Sequence, residues 1–153
     1  FQIAGWSRSQ KTMDGVESFY GEHGLGPFLA RTDILVCLLP LTAETTGIIN
    51  AGTLAQLPAG AYVINAARGG HVVEADLRAA LDSGHIAGAA LDVFHQEPLE
   101  DNSPFWDHPK VLVTPHIASL SSPQSAAADI GENIRRIRRG ETPKDLVDMS
   151  AGY

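Results

Sequence analysis

Five short apolar runs, separated by segments with a helical pattern, constrain the fold of this chain more than any other feature of its sequence. They occupy residues 1–6, 34–39, 61–64, 88–91 and 111–113. The runs are almost continuously hydrophobic, which is typical of strands in a parallel sheet with both faces covered. Alternation of such strands with helices predicts right-handed crossovers, and therefore an α/β fold built on a parallel sheet.

Three helices are predicted from the residues at their ends. Residues 51–57 follow Asn50, a good N-cap, and residues 74–83 carry acids in their first turn and end before Gly84. The last helix, over residues 122–140, begins with a serine and a proline and carries an apolar stripe. The stripe consists of Ala127, Ile130, Ile134 and Ile137.

Charge and cysteine content exclude several classes of partner. The 153 residues correspond to about one domain, and their net charge is -7. An acidic surface repels phosphate backbones and anionic lipids, so neither nucleic acid nor a membrane is expected as a partner. Cys37, the one cysteine, lies in the apolar run 34–39, which is too short to cross a bilayer. We therefore expect a buried thiol and a reducing, cytoplasmic environment.

Polar and titratable residues follow each of the five runs. In an open parallel sheet, ligands bind outside the carboxyl ends of the strands. The residues at these ends are Ser7, Arg8 and Ser9, then Pro40, Leu41 and Thr42, then 65–70, then Asp92, and finally Thr114, Pro115 and His116. The sequence therefore predicts a binding site at this edge of the sheet.

Arg68, Glu97 and His116 are the candidates for chemistry at this edge. A guanidinium matches a carboxylate through two parallel hydrogen bonds. A histidine exchanges a proton near neutral pH, and a neighbouring carboxylate would orient its ring and keep a proton available for a carbonyl that is being reduced. Taken singly, each residue also has a structural interpretation, as a surface arginine in a glycine-rich turn, a loop acid and a hydrogen-bonded histidine.

Three motifs contain these residues: Asn65-Ala66-Ala67-Arg68-Gly69, Ala90-Leu91-Asp92-Val93-Phe94-His95-Gln96-Glu97-Pro98-Leu99 and Val113-Thr114-Pro115-His116-Ile117-Ala118. In this order and spacing they resemble the arginine, aspartate–glutamate and histidine motifs of the D-2-hydroxyacid dehydrogenase family. The resemblance covers nearly the whole chain. Trp6-Ser7-Arg8-Ser9 and Ser103-Pro104-Phe105-Trp106 are similar to the branch that reduces glyoxylate and hydroxypyruvate.

The resemblance implies a Rossmann-type doubly wound sheet and an oxidoreductase that reduces small 2-keto acids to 2-hydroxy acids with NAD(P)H. It implies that Arg68 binds the substrate carboxylate, that His116 donates the proton and that Glu97 is the partner of His116. The residues it places at the cofactor are Ser7, Arg8, Ser9, Leu39, Pro40, Ala66, Ala67, Asp92 and Ala118. It implies a homodimer for the full-length protein, and no metal site is expected.

The choice between NAD and NADP depends on the residues that close the second strand of a dinucleotide fold, where an acid favours NAD and cations accommodate the extra phosphate of NADP. Here the stretch is Ser7-Arg8-Ser9-Gln10-Lys11, with no acid before Asp14. Its hydroxyls and cations favour NADPH. NAD stays open, because the same residues could form an exposed basic turn.

A Gly-x-Gly-x-x-Gly phosphate loop does not occur in the sequence; Gly21, Gly24 and Gly26 have the wrong order and are not expected to join a strand to a helix as that loop does. We therefore expect the first strand and its loop to precede residue 1. Residues 1–120 would be a partial NAD(P)-binding domain, and 121–153 a crossover helix and tail belonging to the substrate domain.

Loss of the first strand has a physical consequence. The strand order 3-2-1-4-5-6 places it in the middle of the sheet. We expect the sheet to open there, the strands at 1–6 and 34–39 to lose their pairing to the rest, and the chain alone to bind cofactor poorly and to lack activity.

Other activities fit the sequence less well. Gly5-Trp6-Ser7-Arg8-Ser9 approaches the hydrolase nucleophile elbow but ends in serine, and the histidines form no His-x-x-x-His pair for zinc. The remaining alternative is an inactive fragment or a non-catalytic nucleotide-binding or assembly module.

Overall fold

A computed structural model describes residues 1–119 and 122–147 of the chain. It divides into two compact units, Phe1–His116 and Ile117–Tyr153. The strands of the first unit are β1 (Ile3–Ser7), β2 (Val16–Tyr20), β3 (Ile34–Cys37), β4 (Ala61–Asn65), β5 (Ile86–Leu91) and β6 (Val111–Val113). Its helices are α1 (Gly21–Leu29), α2 (Ala51–Leu54) and α3 (Glu74–Asp82), with a 3₁₀ turn at Gly69–His71. The described part of the second unit contains helix α4 (Pro123–Arg138).

The strands of the first unit form two parallel sheets, β1-β2 and β3-β4-β5-β6. Every strand pair is parallel, so the prediction of a parallel α/β fold is confirmed. A cavity of about 950 Å³ separates the sheets and is lined by residues 1–6 and 34–39 among others. It lies between the two strands that would flank the first strand in the order 3-2-1-4-5-6. The expectation that the middle of the sheet is open is therefore confirmed.

Two expectations about the sheet are wrong. The segment 34–39 does not lose its pairing to the rest, because β3 pairs with β4 from Ile34 to Cys37 and turns its other edge toward the cavity. Nor are both faces covered. The strand register places four large apolar residues on the same face of the sheet, and they are 43–63% exposed: Ile34, Val36, Tyr62 and Leu112. The continuous apolar runs indicated two covered faces, but within this unit helices cover one.

The strand β2 and the helix α1 were not predicted. The β2 sequence, Val-Glu-Ser-Phe-Tyr, does not form an apolar run, because Glu17 and Ser18 interrupt it. Helix α1 contains three glycines and Pro27, all poor helix formers. Tertiary packing stabilises it instead, since Leu29 is buried and the ring of Phe28 lies 6.0 Å from that of Phe19.

Gly21 lies at the junction of β2 and α1, whereas Gly24 and Gly26 lie inside α1. The three glycines therefore do not join strand to helix as a phosphate loop does, as expected. The site of a Cβ on Gly24 lies 3.4 Å from the backbone of Phe19, so this glycine allows close packing of the helix on the strand.

The predicted helices are present with shifted ends. Asn50 caps α2 through its side chain and forms a capping box with Thr53, as predicted from its residue type, although α2 ends at Leu54. Ser122 caps α4 by accepting a hydrogen bond from the Ser125 amide. No residue of α4 is buried in the described part of the chain. The isoleucines of the predicted stripe, Ile130, Ile134 and Ile137, are exposed.

The core of the first unit lies between the covered face of the larger sheet and its helices. Leu77 and Leu81 of α3 and Val63 of β4 are completely buried. Cys37 belongs to this core, and burial raises the pKa of its thiol. The thiol therefore stays protonated and packs as a small apolar group, as expected.

Candidate active site

The turn after β4 presents Arg68. Asn65, the last residue of β4, is 1% exposed. Its side-chain Nδ2 donates to the Arg68 carbonyl at 2.9 Å, and its side-chain Oδ1 accepts from the Ala67 backbone amide at 3.2 Å. These two bonds fix the backbone of the turn. The Arg68 side chain is exposed, and its guanidinium donates to the Ala67 carbonyl at 2.6 Å. A guanidinium held next to its own turn has further N–H groups for an anionic ligand.

Gly69 brings this turn against the loop that follows β5. A Cβ on Gly69 would lie 1.8 Å from the carbonyl carbon of Phe94 and 2.4 Å from the amide nitrogen of His95. No side chain fits there, so the glycine allows the two backbones to pack in direct contact. Because Glu97 lies on the second of these loops, the contact brings the loops of Arg68 and Glu97 together.

Glu97 and His116 are in direct contact. Oε2 of Glu97 lies 2.8 Å from Nδ1 of His116, and Oε1 of Glu97 accepts from the Phe94 amide at 3.0 Å. A carboxylate accepts hydrogen bonds, so Nδ1 of His116 carries the proton in this pair. Nε2 is then the ring position left for exchange with a ligand.

Electrostatics connect Arg68 to this pair. The hydrogen bond from His116 lowers the pKa of Glu97, and the Phe94 amide and the charges of His116 and Arg68 lower it further. Glu97 therefore stays ionised, as an acceptor for His116 must. The structure thus brings together the three residues that the sequence singled out, although 29 and 19 residues separate them in turn.

The backbone of His116 has an uncommon conformation. Its φ is 54°, in the left-handed region, and its amide donates to the Asp92 carbonyl at 2.9 Å. The Asp92 side chain accepts from the hydroxyl of Thr114 at 2.5 Å. Such a conformation persists where surrounding contacts impose it, and it is found most often at functional sites.

The residues predicted for the cofactor follow strand ends, as expected. Ser7 ends β1 and its hydroxyl donates to the carbonyl of Ser9. Four further groups in the first unit follow strands. Arg8 follows β1; Leu39 and Pro40 follow β3; Ala66 and Ala67 follow β4; Asp92 follows β5. Ala118 belongs to the second unit. The hydroxyls and the guanidinium after β1 fit a phosphate, and no acid lies beside them before Asp14.

His71 is a buried residue of this region that no sequence pattern singles out. It is completely buried, and its ring nitrogens face the carbonyl oxygens of Arg68 and Pro40. Its position three residues after Arg68 was visible in the sequence, but its contact with Pro40 spans 31 residues.

The described residues contain neither a cluster of metal ligands nor a membrane-spanning helix. Among residues 1–119 and 122–147, no group of three or more His, Cys, Asp and Glu side chains could hold a metal ion. None of the helices in this part of the chain is sufficiently long and apolar to span a membrane.

Fold and site together define a parallel α/β domain with an arginine, a carboxylate and a histidine at its strand ends. The model of the D-isomer specific 2-hydroxyacid dehydrogenase NAD-binding domain matches residues 1–118. The chain therefore belongs to this family.

Individual relatives agree with the family. The chain is 53% identical over 153 residues to glyoxylate/hydroxypyruvate reductase A of Salmonella paratyphi B, of which it covers 49%. It thus spans about half the length of the curated relatives it matches.

Solved structures are similar as well. A D-isomer specific 2-hydroxyacid dehydrogenase from Xanthobacter autotrophicus Py2, solved with NADPH and MES, is 54% identical, with a TM-score of 0.97. The match covers the whole of this chain and 63% of that protein. An NADPH-dependent glyoxylate/hydroxypyruvate reductase from Sinorhizobium meliloti, solved with NADP and sulfate, is 46% identical with a TM-score of 0.95, over the whole chain and 50% of that protein.

Proposed function

We propose that the full-length gene product containing this chain reduces small 2-keto acids, glyoxylate and hydroxypyruvate among them, with NADPH. The observation that carries the proposal is the Glu97–His116 contact of 2.8 Å, on loops of which the one bearing Glu97 packs directly against the Arg68 turn at Gly69. A cation for the substrate carboxylate and a proton donor for its carbonyl oxygen are the two groups that this reaction needs from the protein. The relatives that reduce glyoxylate and hydroxypyruvate support this choice of substrate.

Each residue of the trio has a separate task in this proposal. Arg68 binds the substrate carboxylate through two guanidinium N–H groups and so orients the keto group. Glu97 holds Nδ1–H of His116, which directs Nε2–H of the protonated ring toward the keto oxygen. As negative charge develops on that oxygen during reduction, His116 transfers this proton to it and the alcohol forms.

NADPH is the proposed cofactor, and when bound it supplies the hydride. The segment Ser7–Ser9 would hold the 2′-phosphate, with the Arg8 guanidinium as counter-charge. Asp92, which is 6% exposed, follows β5 and would face the nicotinamide end together with the turn after β4. The relatives solved with NADPH and with NADP support the preference.

The test measures glyoxylate-dependent oxidation of NADPH and of NADH by the full-length gene product, by absorbance, alongside the variants Arg68→Ala, Arg68→Lys and Arg78→Ala. We expect activity with NADPH to exceed that with NADH. Arg68→Ala should lower kcat/KM for glyoxylate by about 100-fold or more, because it removes one partner of a hydrogen-bonded charge pair. Arg68→Lys, which keeps the charge without the planar fork, should be intermediate.

Arg78→Ala is the matched control, since Arg78 is an exposed arginine on α3 and should leave the kinetics unchanged. A wild-type protein that binds NADPH but turns over no 2-keto acid would contradict the proposal. That result would favour the non-catalytic nucleotide-binding module instead.

A further inference from the structure

His71 joins two segments that the proposed function assigns to different ligands. Its Nδ1 lies 2.9 Å from the carbonyl oxygen of Arg68, in the substrate-binding turn. Its Nε2 lies 3.2 Å from the carbonyl oxygen of Pro40, which follows β3 on the cofactor side. The ring is completely buried, so both contacts are shielded from water.

The backbone around His71 supports the same connection. The His71 carbonyl accepts from the Ile49 amide at 2.9 Å, and the Gly70 carbonyl accepts from the Gly47 amide at 2.8 Å. The segment after β3 is therefore hydrogen-bonded along the turn that presents Arg68. The ring of His71 lies between this ladder and the Pro40 carbonyl, at the exit of β3, where cofactor is expected. Each tautomer of a neutral imidazole donates its N–H to one of the two carbonyls and packs against the other.

Each carbonyl that His71 contacts has a second donor. The Asn65 amide donates to the Arg68 carbonyl at 2.9 Å, and the Thr45 hydroxyl donates to the Pro40 carbonyl at 2.7 Å. Loss of the imidazole would therefore not leave either carbonyl buried and unpaired. An apolar side chain of similar size would leave both carbonyls paired, so the use of a polar ring here calls for an explanation beyond satisfying them.

We propose, on the basis of the function proposed above, that His71 is a positioning residue that couples the Arg68 turn to the Pro40 loop. It holds the substrate-binding and cofactor-binding segments in one relative position before either ligand arrives. It touches neither the substrate nor the reacting atoms, so its removal weakens binding of both ligands and leaves the chemical step nearly unchanged.

The test compares His71→Leu, His71→Gln and His85→Leu in the full-length gene product, with kcat and the KM for glyoxylate and for NADPH measured separately. For His71→Leu we expect both KM values to rise about five- to tenfold, which corresponds to the loss of one hydrogen bond. The value of kcat should stay within about threefold of wild type. His71→Gln, whose amide can donate to one of the two carbonyls, should restore part of the difference.

His85→Leu is the matched control. The His85 ring also contacts a backbone carbonyl 31 residues earlier in the chain, that of Leu54, at 3.0 Å. It precedes β5 and so lies at the amino end of that strand, away from the site. Its loss should leave both KM values unchanged.

Several outcomes would overturn the proposal: unchanged KM values in His71→Leu, a fall in kcat alone, or an equal rise in KM in His85→Leu. If His71→Leu does not fold, His71→Gln decides, since unchanged KM values there have the same meaning. A wild-type protein without reductase activity would instead contradict the proposed function. NADPH affinity, measured by fluorescence titration, would then test His71 by itself: a loss in His71→Leu supports the coupling and an unchanged affinity refutes it.

Discussion

The contact at Gly69 allows a quantitative prediction for the variant Gly69→Ala. The new Cβ would lie 1.8 Å from the Phe94 carbonyl carbon, whereas ordinary van der Waals contact begins at 3.4 Å. The obstacle is backbone, which cannot rotate away as a side chain does. The two loops must therefore separate by about 1.6 Å, the difference between these distances.

The separation of the loops would displace two residues of the site. Arg68 directly precedes Gly69, and the Glu97 carboxylate accepts a hydrogen bond from the amide of Phe94. Misplacement of a reacting group by about 1 Å costs on the order of 100-fold in rate. We therefore expect kcat/KM for glyoxylate to fall by about 100-fold, equivalent to about 2.7 kcal/mol in the transition state. The forced shift should also lower stability, by about 1–3 kcal/mol.

The assay is steady-state kinetics of the full-length gene product, combined with thermal unfolding to establish that the variant is folded. Gly70→Ala is the control, since a Cβ there lies 3.1 Å from the Leu41 Cδ2 atom, at the flexible end of a side chain that can move. It should change kcat/KM by less than about threefold. A folded Gly69→Ala protein with kcat/KM within about threefold of wild type would refute the argument that this contact sets the site geometry.

Two further predictions follow from the sheet and from the charge pair. The 153-residue chain by itself should bind NADPH weakly and should not turn over glyoxylate, because a cavity separates β1 from β3; submicromolar affinity in a fluorescence titration would contradict this. The pKa of Glu97 lies below its ordinary value of 4.5, so Glu97 stabilises the fold above that pH and loses this contribution as the pH falls through its lowered pKa. The stability difference between wild type and Glu97→Gln in urea should therefore be present at neutral pH and shrink on acidification, whereas a difference that grows would show that the sign is wrong.

Much of the fold could be predicted from the sequence because the relevant patterns are local. The apolar runs after residue 33 correspond to β3, β4, β5 and β6, and Asn50 and Ser122 cap the helices that follow them. Strand β2 and helix α1 could not be predicted in this way. Glu17 and Ser18 interrupt the apolar residues of β2, and the glycines and Pro27 of α1 have low helix propensity, so contacts such as that between Phe19 and Phe28 stabilise these elements.

By itself the sequence determined which groups are available for chemistry and which strand ends carry them. It supplied Arg68, Glu97 and His116, whose residue types are suited to carboxylate binding and proton transfer and whose motifs resemble those of the family. Only the tertiary structure decided that these groups meet. The parallel register of β4, β5 and β6 brings together strand ends that lie tens of residues apart, and the missing Cβ of Gly69 lets two loops come into contact. These are distances between remote parts of the chain, and a local pattern of residues specifies no such distance.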